Sequence, residues 1–138
     1  MVSHRRRKLG AELVSGGVSF RVWAPARSRV SVVVENGKES PLQRESNGCF
    51  SGVIPSASAG TRYRFRLDDE KDTYPDPASR YQPDGPHGPS EVVDPNTYRW
   101  RSEGIDVSVN GLVIYEMHIG TFTKRGTFAS AIAGLPHL

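Results

Sequence analysis

This chain has little to cross-link it, little to anchor it and no pattern of metal ligands. Cys49 is the single cysteine among 138 residues, so no disulfide can close within the chain. No apolar stretch stands near the N-terminus, which argues against a secretory leader or a membrane span and makes a reducing cytoplasm the expected setting. Cys49 lies beside Phe50 in a short strand-like run and has no base placed near it by spacing. It therefore reads as a small packed residue, not a catalytic thiol. His4, His87, His118 and His137 are scattered, and neither HExxH nor CxxC accompanies them. No metal and no cofactor is expected. No zinc-finger, RNA-binding or helix-turn-helix pattern follows the basic run Arg5, Arg6, Arg7 and Lys8, so that run reads as a solvated tail and nucleic acid is not an expected partner.

What is present is turn chemistry and short alternation. Ten prolines and fourteen glycines interrupt a chain that is 36% hydrophobic and 24% charged, which favours many turns, few long helices and one modest core. Val18, Phe20 and Val22 alternate with Ser19, Arg21 and Trp23 before the Ala24-Pro25 break, the pattern of a half-buried strand. Val30–Val34 is the next strand, closed by Asn36-Gly37, and segments 41–44 and 49–54 follow on either side of Asn47-Gly48. Tyr63, Phe65 and Leu67 alternate with Arg62, Arg64 and Arg66, which predicts rings inward and guanidinium groups outward, facing solvent or an acidic neighbour, before an Asp68-Asp69 turn. About six short antiparallel strands at this spacing predict an all-β, immunoglobulin-like β-sandwich.

Two later segments differ from this. Residues 72–97 hold Pro75, Pro77, Pro83, Pro86, Pro89 and Pro95 with Gly85 and Gly88, a density that excludes a regular helix or an internal strand and predicts an ordered loop pinned to a neighbouring surface. Asp76 and Asp94, each before a proline, read as turn residues. Residues 112–119 read as an apolar strand and 127–135 as a helix with Thr127 as N-cap and Phe128, Ile132 and Leu135 on one face. A single β-α unit lacks the second parallel strand it needs, so the chain is expected to be a piece of a longer enzyme.

Specific runs carry a resemblance over nearly the whole chain. FRVWAPARSRVSVVV is similar to the N-terminal module of the isoamylase and glycogen-branching branch of the α-amylase-type hydrolases. YPDPASRYQPDGPHGPSEVVDP together with VIYEMHIGTFTKRGTFASAIAGLPHL is narrower and resembles the malto-oligosyltrehalose trehalohydrolase family. With the basic tail at 1–11 set apart by its composition, the resemblance implies a β-sandwich module at 12–100, a connector at 101–111, and the first strand and helix of a truncated (β/α)8 barrel at 112–138. It also implies hydrolysis of the α-1,4 bond that releases trehalose from maltooligosyltrehalose. That reaction needs a carboxyl pair, about 5–5.5 Å apart in retaining enzymes, at the C-terminal ends of barrel strands. The family's carboxylates belong to the fourth and fifth strands, so no catalytic residue is assigned here, and the 138 residues alone are expected to be inactive.

Glu116 and His118 share one face of the 112–119 strand and read as polar groups rimming a barrel. Arg80, Gln82 and His87 are the candidate substrate-binding residues of the loop, because their side chains can donate hydrogen bonds to sugar hydroxyls; Trp100 is the candidate for stacking on a sugar ring. Trp23 and Tyr115 are the candidate interface residues. The expected partners are the catalytic barrel and, through the parent enzyme, α-glucan or maltooligosyltrehalose. Residues 112–119 are expected to self-associate when left uncovered. A structural module that shields the barrel is preferred over an independent glucan-binding module, and a module of a branching or debranching enzyme is the remaining alternative.

Overall fold

The computed structural model describes residues 7–36, 38–101, 104, 108 and 110–138. Arg5, Arg6, His4, Gly37 and most of the expected 101–111 connector lie outside the described residues. The chain divides into two units, Met1–Arg99 and Trp100–Leu138.

The first unit is a two-sheet antiparallel sandwich, so the all-β, immunoglobulin-like expectation holds. Its strands are β1 (Gly10–Val14), β2 (Gly17–Trp23), β3 (Val30–Val34), β4 (Glu39–Pro41), β5 (Gln43–Arg44), β6 (Cys49–Ile54), β7 (Arg62–Leu67) and β8 (Ser90–Glu91). One sheet runs β1-β2-β6-β5 and the other β4-β3-β7-β8. The period-2 patterns decide which faces meet. Val18, Phe20 and Val22 of β2 and Phe50 and Ile54 of β6 face Val30, Val32 and Val34 of β3 and Tyr63 and Phe65 of β7, all of them buried. At the centre Phe20 meets Tyr63 edge-on with ring centroids 4.8 Å apart, and Tyr63 meets Phe65 at 5.7 Å.

The two sides of the sandwich close differently. On one side the chain steps from sheet to sheet: the expected 41–44 strand is split at Leu42, which donates its N–H to the Val30 carbonyl at 2.8 Å and buries its side chain. On the other side lie the edge strands β1 and β8, and the proline-rich loop closes that gap. The sequence pattern missed both strands. β1 takes in Gly10 and Ala11, which the composition assigns to the tail, and β8 is two residues long. Periodicity over so few residues carries no signal.

Outward residues fasten the turns. Arg21 on β2 donates from Nε and Nη2 to both Glu45 carboxylate oxygens, at 2.8 and 2.6 Å, and from Nη1 to the Lys8 carbonyl. The bidentate Arg21 bond, with help from Ser51, holds the Glu45 carboxyl at about 2, below its ordinary 4.5. A depressed carboxyl adds stability that is complete above pH 4.5 and lost as pH falls towards 2. Glu45→Gln should therefore flatten the acid limb of the stability curve by about 1–2 kcal/mol, the discount reflecting a partly solvated pair. Chemical denaturation at pH 7, 4 and 2.5 reads it, and parallel curves for both proteins would refute the assignment.

The second unit holds two short helices, α1 (Ile119–Phe122) and α2 (Phe128–Gly134), with a 3-10 turn at Leu135–His137. Thr127 caps α2 as expected, in a reciprocal capping box with Ser130. The expected strand at 112–119 is not formed. Residues 112–118 lie in no ladder, and Ile119 already opens α1, because a strand exists only against a partner edge.

Candidate functional site

The loop at 72–97 is built onto the sandwich by the outward face of β7. Arg62 pairs with Asp84 at 3.0 Å and lies within 3.6 Å of Glu35 and Glu91. Arg64 brackets the two limbs of the loop, donating to the Thr73 carbonyl at 3.2 Å and the His87 carbonyl at 2.6 Å. Arg66 donates to the Glu70 and Lys71 carbonyls, each at 2.8 Å, and pairs with Glu39 at 3.0 Å. The cationic face expected to meet solvent or an acidic neighbour is thus engaged within the chain. Prolines have removed so many N–H donors from the loop that its carbonyls take arginine as partner instead.

A buried polar cluster holds the base of the same loop. Asp76 is 3% exposed and Ser90 fully buried. The Tyr63 hydroxyl donates to Asp76 Oδ2 at 2.6 Å, the Ala78 N–H donates to Oδ1 at 2.8 Å, and the Asp76 N–H donates to Ser90 Oγ at 3.0 Å. Burial first, then the charge and hydrogen bond of Asp76, push the Tyr63 phenol well above its ordinary range. Asp76 is therefore more than the turn residue its Asp-Pro context suggests. Only the tertiary structure brings it to Tyr63.

The candidate site residues separate. Arg80 donates to the Ala11 carbonyl on β1, and Gln82 Nε2 donates to the Pro86 carbonyl at 3.1 Å. Both side chains that were expected to meet sugar are holding the loop. His87 is exposed at the turn above Arg64. Trp100 and Tyr115 belong to the second unit; Trp100 is 81% exposed, and Tyr115 meets Phe122 edge-on at 6.5 Å.

Trp23, at the end of β2, is 60% exposed. It borders an apolar hollow of about 190 Å³ with Leu9, Val22, Asp76, Pro77 and Ala78. Leu9 and Pro77 are the members that sequence reasoning missed, and nothing in their spacing links them to Trp23. The hollow offers one ring and a wall of aliphatic carbon, suited to one apolar side chain. A larger cleft of about 570 Å³ lies along β1 between Arg7, Glu12, Ser15, Arg80 and Asn96, and it has no aromatic lining. Among the described residues no group of three or more His, Cys, Asp or Glu could hold a metal ion, and no helix is long and apolar enough to cross a membrane.

A sandwich of two four-stranded antiparallel sheets, its loop strapped across one open side and an indole exposed at a strand end, defines an accessory β-sandwich module of the immunoglobulin-like type. Residues 8–97 match the family described as Carbohydrate-binding module 48 (Isoamylase N-terminal domain), and the chain belongs to that family. Similarity extends past the module. The malto-oligosyltrehalose trehalohydrolase of Saccharolobus solfataricus is 42% identical over 130 residues, covering 94% of this chain and 23% of that protein. The 1,4-alpha-glucan branching enzyme GlgB of Corynebacterium jeikeium is 35% identical over 137 residues, covering 87% of this chain and 19% of that protein. A crystal structure of a putative alpha amylase from Salmonella typhimurium superposes with a TM-score of 0.81 at 42% identity, covering 96% of this chain and 23% of that one. The chain spans about a fifth to a quarter of the length of these proteins.

Proposed function

We propose that this chain is the N-terminal, non-catalytic module of an enzyme that hydrolyses maltooligosyltrehalose and releases trehalose, serving trehalose biosynthesis from α-glucan in the cytoplasm. One observation carries the reading: both alignments run past the module match at 8–97 into the segment that would open a catalytic barrel, and over the whole aligned length identity is 42% to the trehalohydrolase against 35% to the branching enzyme. In this reading 12–100 is the module, 101–111 the connector and 112–138 the first strand and helix of the barrel, with residues 112–118 becoming a strand once neighbours exist. Trp23 and its hollow receive an apolar side chain of the barrel, and Tyr115 is the second residue assigned to an interface in this reading. Arg80 and Gln82 act by fixing the loop, while His87 and Trp100 are the side chains open to sugar.

The 138-residue chain is expected to release no trehalose from maltooligosyltrehalose, since a glycosidic bond is not cleaved without a nucleophile and a proton donor held around it. The protein encoded by the complete reading frame is expected to release it. Release by the short chain, abolished by Glu116→Gln, would overturn the module assignment; glucan branching by the complete protein would favour the branching-enzyme reading.

Independent α-glucan binding is the second reading, favoured by the exposed indole of Trp23 and the family description. The single ring at the hollow argues against strong binding. A maltoheptaose titration followed by amide shifts should show affinity weaker than about 1 mM, that is, less than about 4 kcal/mol of binding free energy. Saturable shifts around Trp23 or Trp100 at lower concentration would reverse the order of the two readings.

A further inference from the structure

Residues 82–88, the tip of the proline-rich loop, are held more closely than a surface turn needs to be. Two turns follow one another, closed by the Gly85 N–H donating to the Gln82 carbonyl at 3.1 Å and the Gly88 N–H donating to the Gly85 carbonyl at 3.0 Å. Gln82 Nε2 ties the pair together by donating to the Pro86 carbonyl. The turns are pressed close: a Cβ at Gly88 would stand 2.8 Å from Asp84 Cβ and 3.1 Å from the Asp84 carbonyl carbon. Pro83, Pro86 and Pro89 fix φ at the corners. From β7, Arg62 holds the Asp84 carboxylate at 3.0 Å and Arg64 Nη2 holds the His87 carbonyl at 2.6 Å, while Arg64 Nη1 reaches the Thr73 carbonyl on the first limb of the loop.

The polar side chains of this tip divide. Gln82 and Asp84 are committed to the chain, as Arg80 is just before them, whereas His87 is exposed and its imidazole makes no hydrogen bond to a described residue. An imidazole can give one hydrogen bond and accept one, which suits neighbouring hydroxyls on a neutral sugar. A ring carried on a backbone already fixed gives up little further freedom on binding.

We infer that Arg64 is a positioning residue for substrate: by gripping the His87 carbonyl it fixes the direction in which His87 meets a glucosyl hydroxyl of the bound α-glucan chain. The inference rests on the reading of the complete protein as a maltooligosyltrehalose hydrolase with His87 open to sugar. Arg64 is singled out because its contact is with the His87 backbone itself, and because a planar guanidinium can bridge carbonyls on two limbs where an ammonium group cannot. Arg62, by contrast, is shared among Glu35, Asp84 and Glu91.

The test has one arm on the 138-residue chain and one on the protein of the complete reading frame. In the chain, Arg64→Ala should speed amide exchange at Gly85 and Gly88 at least about tenfold, while the β2–β6 ladder keeps its protection and the near-ultraviolet dichroism of the core aromatics is unchanged. Unaltered exchange at both glycines overturns the inference whatever the complete protein does. In the complete protein, His87→Ala should raise KM for maltooligosyltrehalose about tenfold with kcat little changed, the loss of one hydrogen bond made equally before and during bond cleavage. Arg64→Ala and Arg64→Lys should do the same, the double variant Arg64→Ala/His87→Ala should be no worse than either single one, and His87→Gln, which keeps a donor and an acceptor, should recover most of the loss. An ordinary KM for Arg64→Ala beside an impaired His87→Ala overturns the inference and leaves the functional reading standing. So do losses that add in the double variant, since Arg64 would then act on the fold and not through His87. Ordinary kinetics for His87→Ala overturn both the inference and the place of His87 in that reading, and a complete protein that releases no trehalose overturns the reading and the substrate named here with it.

Discussion

Asp76→Ala should lower the unfolding free energy of the sandwich by about 3–4 kcal/mol and release the base of the proline-rich loop. The substitution removes the acceptor of one buried and one partly buried hydrogen bond, stranding the Tyr63 hydroxyl in the core and leaving the half-buried Ala78 N–H without its partner. Each stranded group costs about 1–3 kcal/mol, and a module of this size has only about 5–15 kcal/mol in total. Asp76→Asn keeps an oxygen for Ala78 and an amide that the phenol oxygen can accept from, so it should cost less than half as much. Urea unfolding of the three proteins decides it. A loss under about 1 kcal/mol for Asp76→Ala would show that water or a neighbouring group satisfies the site and that the cluster is not what holds the loop. The same cluster gives an alkaline limit. A phenol raised above its ordinary pKa of 10 contributes stability that is complete below pH 10 and is lost as pH rises from there towards the folded value. Tyr63→Phe should remove that limb while leaving the acid limb set by Glu45 unchanged.

Gly17→Ala is expected to cost at least about 3 kcal/mol, and Gly16→Ala, one residue away in the same hairpin, about 1 kcal/mol. Both glycines have positive φ, +91° at Gly16 and +138° at Gly17, so both substitutions carry backbone strain. They differ in what a methyl group would meet. At Gly16 nothing lies within 4 Å, whereas at Gly17 a Cβ would stand 2.4 Å from the Ile54 carbonyl oxygen and 2.8 Å from Pro55 Cα. Those are backbone atoms of the last residue of β6 and of the residue that follows it, so relief requires β2 and β6 to separate at Val18↔Ile54, beside the fully buried Val18. Thermal or chemical unfolding of the two variants side by side makes the comparison. Equal losses would mean that φ strain, not the close approach of β6, is the reason for glycine at 17.

The sandwich was legible because its central strands are long enough to show a period. β2 and β7 alternate over six to seven residues, and the apolar members of that alternation lie in the core: Val18, Phe20 and Val22, then Tyr63 and Phe65, with Leu67 partly buried, while the valine-rich run of β3 marks a strand without marking its inner face. Turn chemistry was equally local. Asn47-Gly48 closes its hairpin with Gly48 at φ +78° and the Asn47 side chain accepting from the Cys49 N–H, and Thr127 with Ser130 forms the cap that its spacing foretells. β1 and β8 escaped notice because an edge strand owes its existence to the neighbour it joins, and residues 112–118 failed as a strand for the same reason in reverse.

The candidate site divides along the same line. That Arg80 and Gln82 are hydrogen-bond donors follows from residue type alone; that Arg80 gives one bond to Ala11 and Gln82 one to Pro86 depends on where the loop folds back. An outward position for Arg62, Arg64 and Arg66 follows from alternation, but their partners are carbonyls and carboxylates as far off in sequence as Glu91 is from Arg62. Trp23 is placed at a strand end by its own segment, while the hollow beside it needs Leu9 and Pro77. Amino-acid order by itself determined the central strands, the inward faces of β2 and β7, the turns and the cap of α2, and the resemblance to a family. Tertiary structure alone decided which polar groups are buried together and which donors are already engaged, because burial and hydrogen bonding depend on distances between segments that no local period records.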